Sequence, residues 1–288
     1  MRSMPSPDPI CPLCGRPAIL IYQRIFRDRK WSMARCPCGL RFTHPPPTLD
    51  EIVSFYRTDY HGALTHGADQ NFLAKFSGYA DIIARHVSGG RSLDVGCTTG
   101  LLPHLLRQRG FDAEGLEVNP RTAAWGTQTY GVPIAVGTFE EYCGAPGKLN
   151  VLSMTDVVEH TLDPMATLRK ANTLLRPGGS ALISFPDITS AKSRYYQMLA
   201  RVLGRDWLWN TCHIPQHTWE FTRPVAVRCF AAAGFSLTWF GRTDGPDNDF
   251  SGRLGVLSWP VRPLNLRPLA KLLGTGMIFL LRKEREPA

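Results

Sequence analysis

Hydrophobic and polar positions change their period repeatedly after Arg91. Seven short apolar runs of strand length (SLDV, DAEGLEV, PIAVG, LNVLSMTD, SALISFP, FSLTWF and MIFLLRKE) are separated by stretches that mostly carry helical spacing. Caps and breakers mark the helices. Pro103 is tolerated only in a first helical turn, so the helix LLPHLLRQR starts near Thr99–Gly100 and closes at Gly110. Asn119 caps a helix with Pro120 in its first position and Gly131 at its end. Asp163–Pro164 opens another that stops at RPGG, and Thr222–Arg223–Pro224 opens one through VAVRCFAAAG. Repeated βα units imply a parallel sheet with helices on both faces, an α/β architecture.

Before Arg91 the pattern differs. AILIYQRIFRDRKWSMAR has enough β-branched and aromatic residues for two strands. His44 is followed by Pro45, Pro46 and Pro47, which cannot continue a strand, and this is the strongest boundary in the chain. TLDEIVSFYRTDYHG then opens with a capping-box spacing, Thr48 to Glu51. The expected organisation is a small β segment over 1–47, a helical connector over 48–90 and the α/β domain over 91–288. An aromatic insertion over 189–222 is expected to act as a lid.

Composition changes this picture little: 43% hydrophobic and 20% charged residues are ordinary for a folded chain. The longest apolar runs, such as MIFLL, are strand-sized, so no membrane span is expected. MRSMPSPDP has neither the apolar core nor the cleavage pattern of an export signal, so a cytoplasmic location is expected. Charge is more informative. The net +9 concentrates at the two ends, +6 over residues 1–48 and +5 over 252–288. Such flanks suit a solvated exterior or an RNA-binding footprint.

The eight cysteines form two groups. Cys97, Cys143, Cys212 and Cys229 sit in apolar or small-residue contexts and are expected to be buried thiols. Cys11, Cys14, Cys36 and Cys38 lie in CPLCG and CPCG, two knuckles that each end in glycine. Brought together by a hairpin, they offer four soft ligands for a structural zinc. The second knuckle is one residue short of C-x-x-C, and His44 is a substitute ligand should Cys36 or Cys38 point away. A metal-free ribbon is the alternative.

The turn after the first strand of the large domain, LDVGCTTG, narrows the ligand. A dinucleotide requires G-x-G-x-x-G, and Thr98 occupies the second glycine position; the lysine of a P-loop is also absent. Glu117 ends the next strand, 23 residues after Asp94, where an acid takes two ribose hydroxyls. A nucleoside without phosphate and with a positive charge, S-adenosylmethionine, suits an acidic residue beside the turn.

Taken in order, LDVGCTTG, GLEVNP, TDVVEHTLDP and LLRPGGSALISFP resemble the successive motifs of class I S-adenosylmethionine-dependent methyltransferases. The likeness covers about residues 70–288. That family usually reads D-x-G-C-G-T-G, from which Thr98 departs. The start of the chain resembles a bacterial subgroup with an N-terminal zinc-ribbon-like segment, many of whose members are linked to sugar, polysaccharide or secondary-metabolite methylation. The resemblance implies a Rossmann-like seven-stranded sheet preceded by a small zinc-ribbon-like β segment. It also implies that Asp94, Gly96, Cys97 and Gly100 border the methionine end, and that Glu117 takes the ribose. Val118 flanks the adenine, Thr138 and Phe139 match the adenine edge, and Asp156 and Val157 end the fourth strand beneath the cofactor.

Methyl transfer from a sulfonium needs alignment, exclusion of water and a proton acceptor. His160, after the fourth strand, and His217, in WLWNTCHIPQHTWEFT, are the candidate bases; each could equally be a structural loop histidine. His213, Trp207, Trp209, Trp219 and Phe221 share that segment, which reads as an acceptor lid or as an aromatic mini-core, with Tyr56 and Tyr60 closing from the other side. Asp156, Glu159 and His160 also resemble the set with which some quinone O-methyltransferases hold magnesium, a less favoured Mg2+ site. The reading is a methyltransferase acting on a small-molecule acceptor at oxygen, because TDVVEH replaces the NPPY-type loop of N-methylating relatives. An RNA base methyltransferase and a non-catalytic binding module are the rivals.

Overall fold

The computed structural model describes residues 8–26, 28–54, 56–57, 70–203, 217–243 and 274–286. Trp207, Trp209, Cys212, His213, Tyr60 and most of the basic C-terminal flank lie outside them. The first three strands are β1 (Ile19–Phe26), β2 (Arg29–Arg35) and β3 (Arg41–His44). They are followed by α1 (Leu49–Ser54), opened by the expected capping box. There the Thr48 backbone N–H donates to Glu51 Oε2 at 2.8 Å, and the Glu51 N–H donates back to Thr48 Oγ1 at 3.2 Å. Helix α2 (Gln70–His86) leads into the large sheet.

Every strand expected after Arg91 forms. They are β4 (Gly90–Val95), β5 (Phe111–Glu117), β6 (Ile134–Val136), β7 (Leu149–Thr155), β8 (Leu175–Pro186), β10 (Phe235–Thr243) and β11 (Gly276–Lys283). Between them lie α3 (Leu101–Arg107), α4 (Pro120–Tyr130), α5 (Pro164–Leu174), α6 (Ala191–Leu203) and α7 (Arg223–Ala232). The caps act as the residue types require. Asn119 accepts from the Arg121 and Thr122 N–H groups, and Asp163 from those of Met165 and Ala166.

The strands order as β10-β11-β8-β7-β4-β5-β6. Strands β4 to β8 are parallel, but β11 runs antiparallel to both β8 and β10. The expected seven-stranded sheet is therefore mixed, not parallel throughout: β11 inserts between β8 and β10 in the reverse sense. The order reverses at β4, whose neighbours β5 and β7 carry the chain to opposite sides, so a crevice opens beyond the carboxyl ends of these strands.

A short further strand, β9 (Trp219–Glu220), carries no strand pattern in the sequence. It joins the N-terminal strands in a second sheet, ordered β1-β2-β3-β9. One apolar cluster takes in Cys11, Cys36, Leu40 and Phe42 from the N-terminal segment, Trp219 and Phe221, and Leu152, Ile183, Phe185 and Phe279 of the large sheet.

Close packing fixes the turn after β4. Gly126 in α4 faces that turn, and a Cβ there would lie 2.3 Å from the Thr99 carbonyl oxygen and 2.8 Å from Ile134 Cδ1. Because the nearer atom is backbone, the helix itself has to move. Gly126→Ala is expected to lower unfolding stability by about 1–3 kcal/mol, measured by urea denaturation.

Candidate functional site

The crevice is built by the turns that follow β4, β5 and β7. In the first, Gly96 has φ +67°, and a Cβ added to it would meet Val157 Cγ2 at 2.7 Å. Thr98 itself takes φ +49°, the left-handed region that glycine occupies at low cost. Its N–H donates to Glu117 Oε2 at 2.9 Å, while the Asn119 N–H donates to Glu117 Oε1 at 2.9 Å. A carboxylate offers about four lone-pair sites, so two remain for a ligand. Burial pushes the Glu117 carboxyl upward, and the backbone N–H donors offset part of that.

Asp94 is buried beside it and accepts from Ser153 Oγ at 2.6 Å. Burial is the main reason its carboxyl is pushed up to about 7, with the Glu117 charge adding to it. Cys97 turns its thiol into the sheet, where a Cβ on Gly115 would lie 2.4 Å from the sulfur, so this residue offers the crevice only its backbone. Val118 is half-buried at the end of β5. Thr138 spends its hydroxyl on Glu141 at 2.9 Å, and Phe139 packs in the core, stacked on Tyr142.

After β7 the chain turns at Asp156, which has φ +56°. Its carboxylate pairs with Lys75 Nζ at 2.9 Å and accepts from Ser184 Oγ at 3.2 Å. The Lys75 pKa is raised by the negative charge of Asp156 against an opposing desolvation. Glu159 follows in a short helical turn, fully buried. Neither of its carboxylate oxygens has a hydrogen-bond partner among the described residues, and burial holds the acid well above the usual carboxylate range. His160 Nε2 is 3.9 Å from Glu159 Oε1, and His160 Nδ1 is 2.9 Å from the Tyr56 hydroxyl. His217 meets the His160 ring edge-on, with centroids 4.6 Å apart. The two candidate bases, 57 positions apart in the chain, thus form one cluster. Asn119 Nδ2 donates to the Tyr56 carbonyl at 3.1 Å, which joins this cluster to the crevice at Glu117.

The profile of a methyltransferase domain family matches residues 68–238, more than half of the chain. The chain belongs to the class I S-adenosylmethionine-dependent methyltransferases. A protein of Chromobacterium violaceum named ubiquinone biosynthesis O-methyltransferase is 30% identical over 151 residues, 50% of this chain and 62% of the relative. One of the same name from Azorhizobium caulinodans is 28% identical over 179 residues, 60% of this chain and 69% of the relative. The matched stretch thus spans about three-fifths to two-thirds of these relatives. Among solved structures, the Burkholderia thailandensis 1,6-didemethyltoxoflavin-N1-methyltransferase superposes with a TM-score of 0.54 at 16% identity, covering 92% of this chain and 100% of that one. An S-adenosylmethionine-dependent methyltransferase from Mesorhizobium loti gives 0.52 at 16% identity, covering 73% and 99%.

The methyltransferase carries two groups of side chains, among the described residues, that lie close enough to hold one ion. The first is Cys11, Cys14, Cys36 and Cys38, with sulfurs all within 4.8 Å of one another. The Cys11–Cys38 and Cys14–Cys36 distances are 3.8 and 3.4 Å. Four sulfurs about 2.3 Å from a tetrahedral centre would be about 3.8 Å apart. The shortened knuckle therefore still brings its thiols into place, and His44 lies apart from them in β3, paired with Ser32. The second group is Glu159, His160 and His217. Asp156 is not in it, since its carboxylate faces Lys75.

One expectation needs correction: Cys143 is exposed, not buried. Of the two readings of the aromatic segment, the mini-core holds for Trp219 and Phe221: Trp219 donates its Nε1–H to the Thr161 carbonyl at 2.6 Å, and Phe221 packs on Phe185 at 4.9 Å. Part of the basic charge near the N-terminus is already engaged, Arg29 with Glu51 and Arg41 with the buried Glu220. Lys75 stands in no motif, and only the packing of α2 against the crevice reveals it; Ser184 stands in SALISFP, where the pattern marks a strand and gives no sign of the bond to Asp156.

The raised Asp94 carboxyl has a definite sign. Between pH 4 and 7 the folded protein binds more protons at this site than the unfolded chain. The favourable contribution is full at low pH and is lost as pH rises through about 7. Asp94→Asn, which keeps an acceptor for Ser153, should therefore gain stability over the wild type between pH 5 and pH 8, by on the order of 2 kcal/mol. Urea unfolding at the two pH values measures this gap; a gap that does not grow with pH would contradict the assignment.

Proposed function

We propose that this methyltransferase moves the methyl group of S-adenosylmethionine to an oxygen of a small-molecule acceptor, in the synthesis of sugars, polysaccharides or secondary metabolites. The observation that carries this reading is the His160–His217 pair beside the Glu117 crevice. Oxygen is favoured because TDVVEH stands where an NPPY-type loop would be, and because relatives over this stretch are named O-methyltransferases.

When bound, the cofactor supplies an already activated methyl group. Glu117 holds the ribose hydroxyls with the lone pairs left free by Thr98 and Asn119. Gly96 and Gly100 would keep the turn low beneath the methionine end, and Asp94 would balance the positive sulfonium. Val118 and the backbone of Thr138 and Phe139 would border the adenine, and Val157 with the backbone of Asp156 would floor the site. The acceptor would present its hydroxyl to the histidine pair. His160 or His217 accepts the hydroxyl proton. A positioned base contributes about 10²–10⁴-fold.

The four cysteines are proposed to hold a structural zinc, with no position left open for chemistry. A second reading of the other cluster is favoured by the buried Glu159, whose carboxylate has no hydrogen-bond partner among the described residues: a divalent cation held by Glu159, His160 and His217, in place of the magnesium set drawn on Asp156. Elemental analysis of the purified chain tests both. One zinc per chain that disappears in Cys14→Ser supports the first, and further metal lost in Glu159→Gln supports the second.

The direct test of function is incubation with methyl-labelled S-adenosylmethionine and an extract of the source cells, followed by identification of the labelled product. The expected product is a small methyl ether, formed about 10²-fold more slowly by His160→Ala with cofactor affinity unchanged. Label found only on nitrogen or carbon would refute oxygen transfer, and label recovered in RNA would select the rival acceptor.

A further inference from the structure

The cysteine-bearing sheet ends at the transfer site. Strand β3 pairs with β9, Phe42 opposite Trp219 and Arg41 opposite Glu220. His217 lies two residues before β9, so the same pairing reaches it. The Thr43 N–H donates to the Thr218 carbonyl at 2.9 Å, and the Thr43 hydroxyl donates to the His217 carbonyl at 2.8 Å. All three residues are buried, Thr43 at 2% exposure, so water does not substitute for these bonds. On the far side of the strand the Trp219 indole donates to the Thr161 carbonyl, one residue beyond His160. The backbone beside each histidine is thereby tied to β9, and β9 is tied to β3. The knuckle below is fastened as well: Arg228 Nη2 of α7 donates to the Cys38 carbonyl at 2.8 Å.

We propose that Thr43 is the positioning residue for His217, and that the N-terminal sheet sets the geometry of the His160–His217 pair. Thr43 touches neither cofactor nor acceptor. It acts by fixing the backbone from which the His217 side chain reaches His160. The role of the cysteine-bearing segment is then to hold β3 in register against β9, and its influence reaches His217 through the two Thr43 hydrogen bonds that extend this pairing. The proposal rests on reading His217 as a group of the transfer site.

The test compares Thr43→Val, which keeps shape and removes the hydroxyl donor, with Thr43→Ser, which restores the donor. Three measurements are made on the full chain: the histidine ring signals by NMR of histidine-labelled protein, the affinity for S-adenosylhomocysteine by calorimetry, and kcat for the labelled product identified above. Thr43→Val is expected to shift the His217 signals and weaken the contact between the two rings. It should lower kcat by about fivefold to tenfold, as loss of one buried hydrogen bond implies, with S-adenosylhomocysteine affinity within about twofold of the wild type. Thr43→Ser is expected to recover both signals and rate.

Unchanged His217 signals and rate in Thr43→Val would overturn the proposal. So would a loss of S-adenosylhomocysteine affinity as large as the loss of rate, since the damage would then be general. A wild-type protein that binds no S-adenosylhomocysteine would instead refute the proposed function, and the ring signals would still decide whether Thr43 positions His217.

Discussion

The Glu117 carboxylate, gripped between the N–H groups of Thr98 and Asn119, is the constraint on which the crevice depends. It fixes the tip of β5 against the turn that follows β4, and each neighbouring oddity follows from it. Thr98 sits in a backbone region that costs a β-branched residue about 1–3 kcal/mol. Its bond to a charged acceptor returns about 1.5–3 kcal/mol, so the two terms are of equal size and threonine is tolerated where glycine would be ordinary. Gly115 and Gly126 make room for the side chain of Cys97 and the carbonyl of Thr99, which lets the turn lie flat on β5 and α4.

A second constraint sits across the crevice. Asp156 is turned toward Lys75, and this leaves Glu159 as the acid that faces the two histidines. Burying a carboxyl without a partner is costly. The fold accepts it in the segment that also carries His160, while the opposing His217 lies two residues before β9, a strand of the other sheet. The crevice and the histidine cluster therefore draw on both sheets: Asp94, Glu117 and Asp156 stand at the ends of parallel strands, and one of the two histidines comes by way of β9.

Local signals in the chain were enough for most of the large sheet. Asn119–Pro120, Asp163–Pro164 and Thr222–Arg223–Pro224 each place a helix start, and the apolar runs between them have the length of strands. The reversed sense of β11 was not legible, because strand direction is decided by pairing with β8 and β10 and leaves no mark on an apolar run such as MIFLL. Strand β9 was missed for a similar reason: its two residues, Trp219 and Glu220, gain their conformation from Phe42 and Arg41. In the site, Asp94 and Glu117 were readable because their spacing follows from one βαβ unit. Lys75 was not, since α2 presents it to Asp156 only after tertiary packing.

The central claim is that Glu117 holds the adenosine half of the methyl donor in this crevice. Calorimetric titration of S-adenosylmethionine into the wild type and Glu117→Gln measures it directly. The account predicts one site per chain and a loss of affinity of about tenfold or more in the variant, the size of a lost hydrogen bond to a charged group. No binding heat with the wild type, or equal affinity in the two proteins, would contradict it.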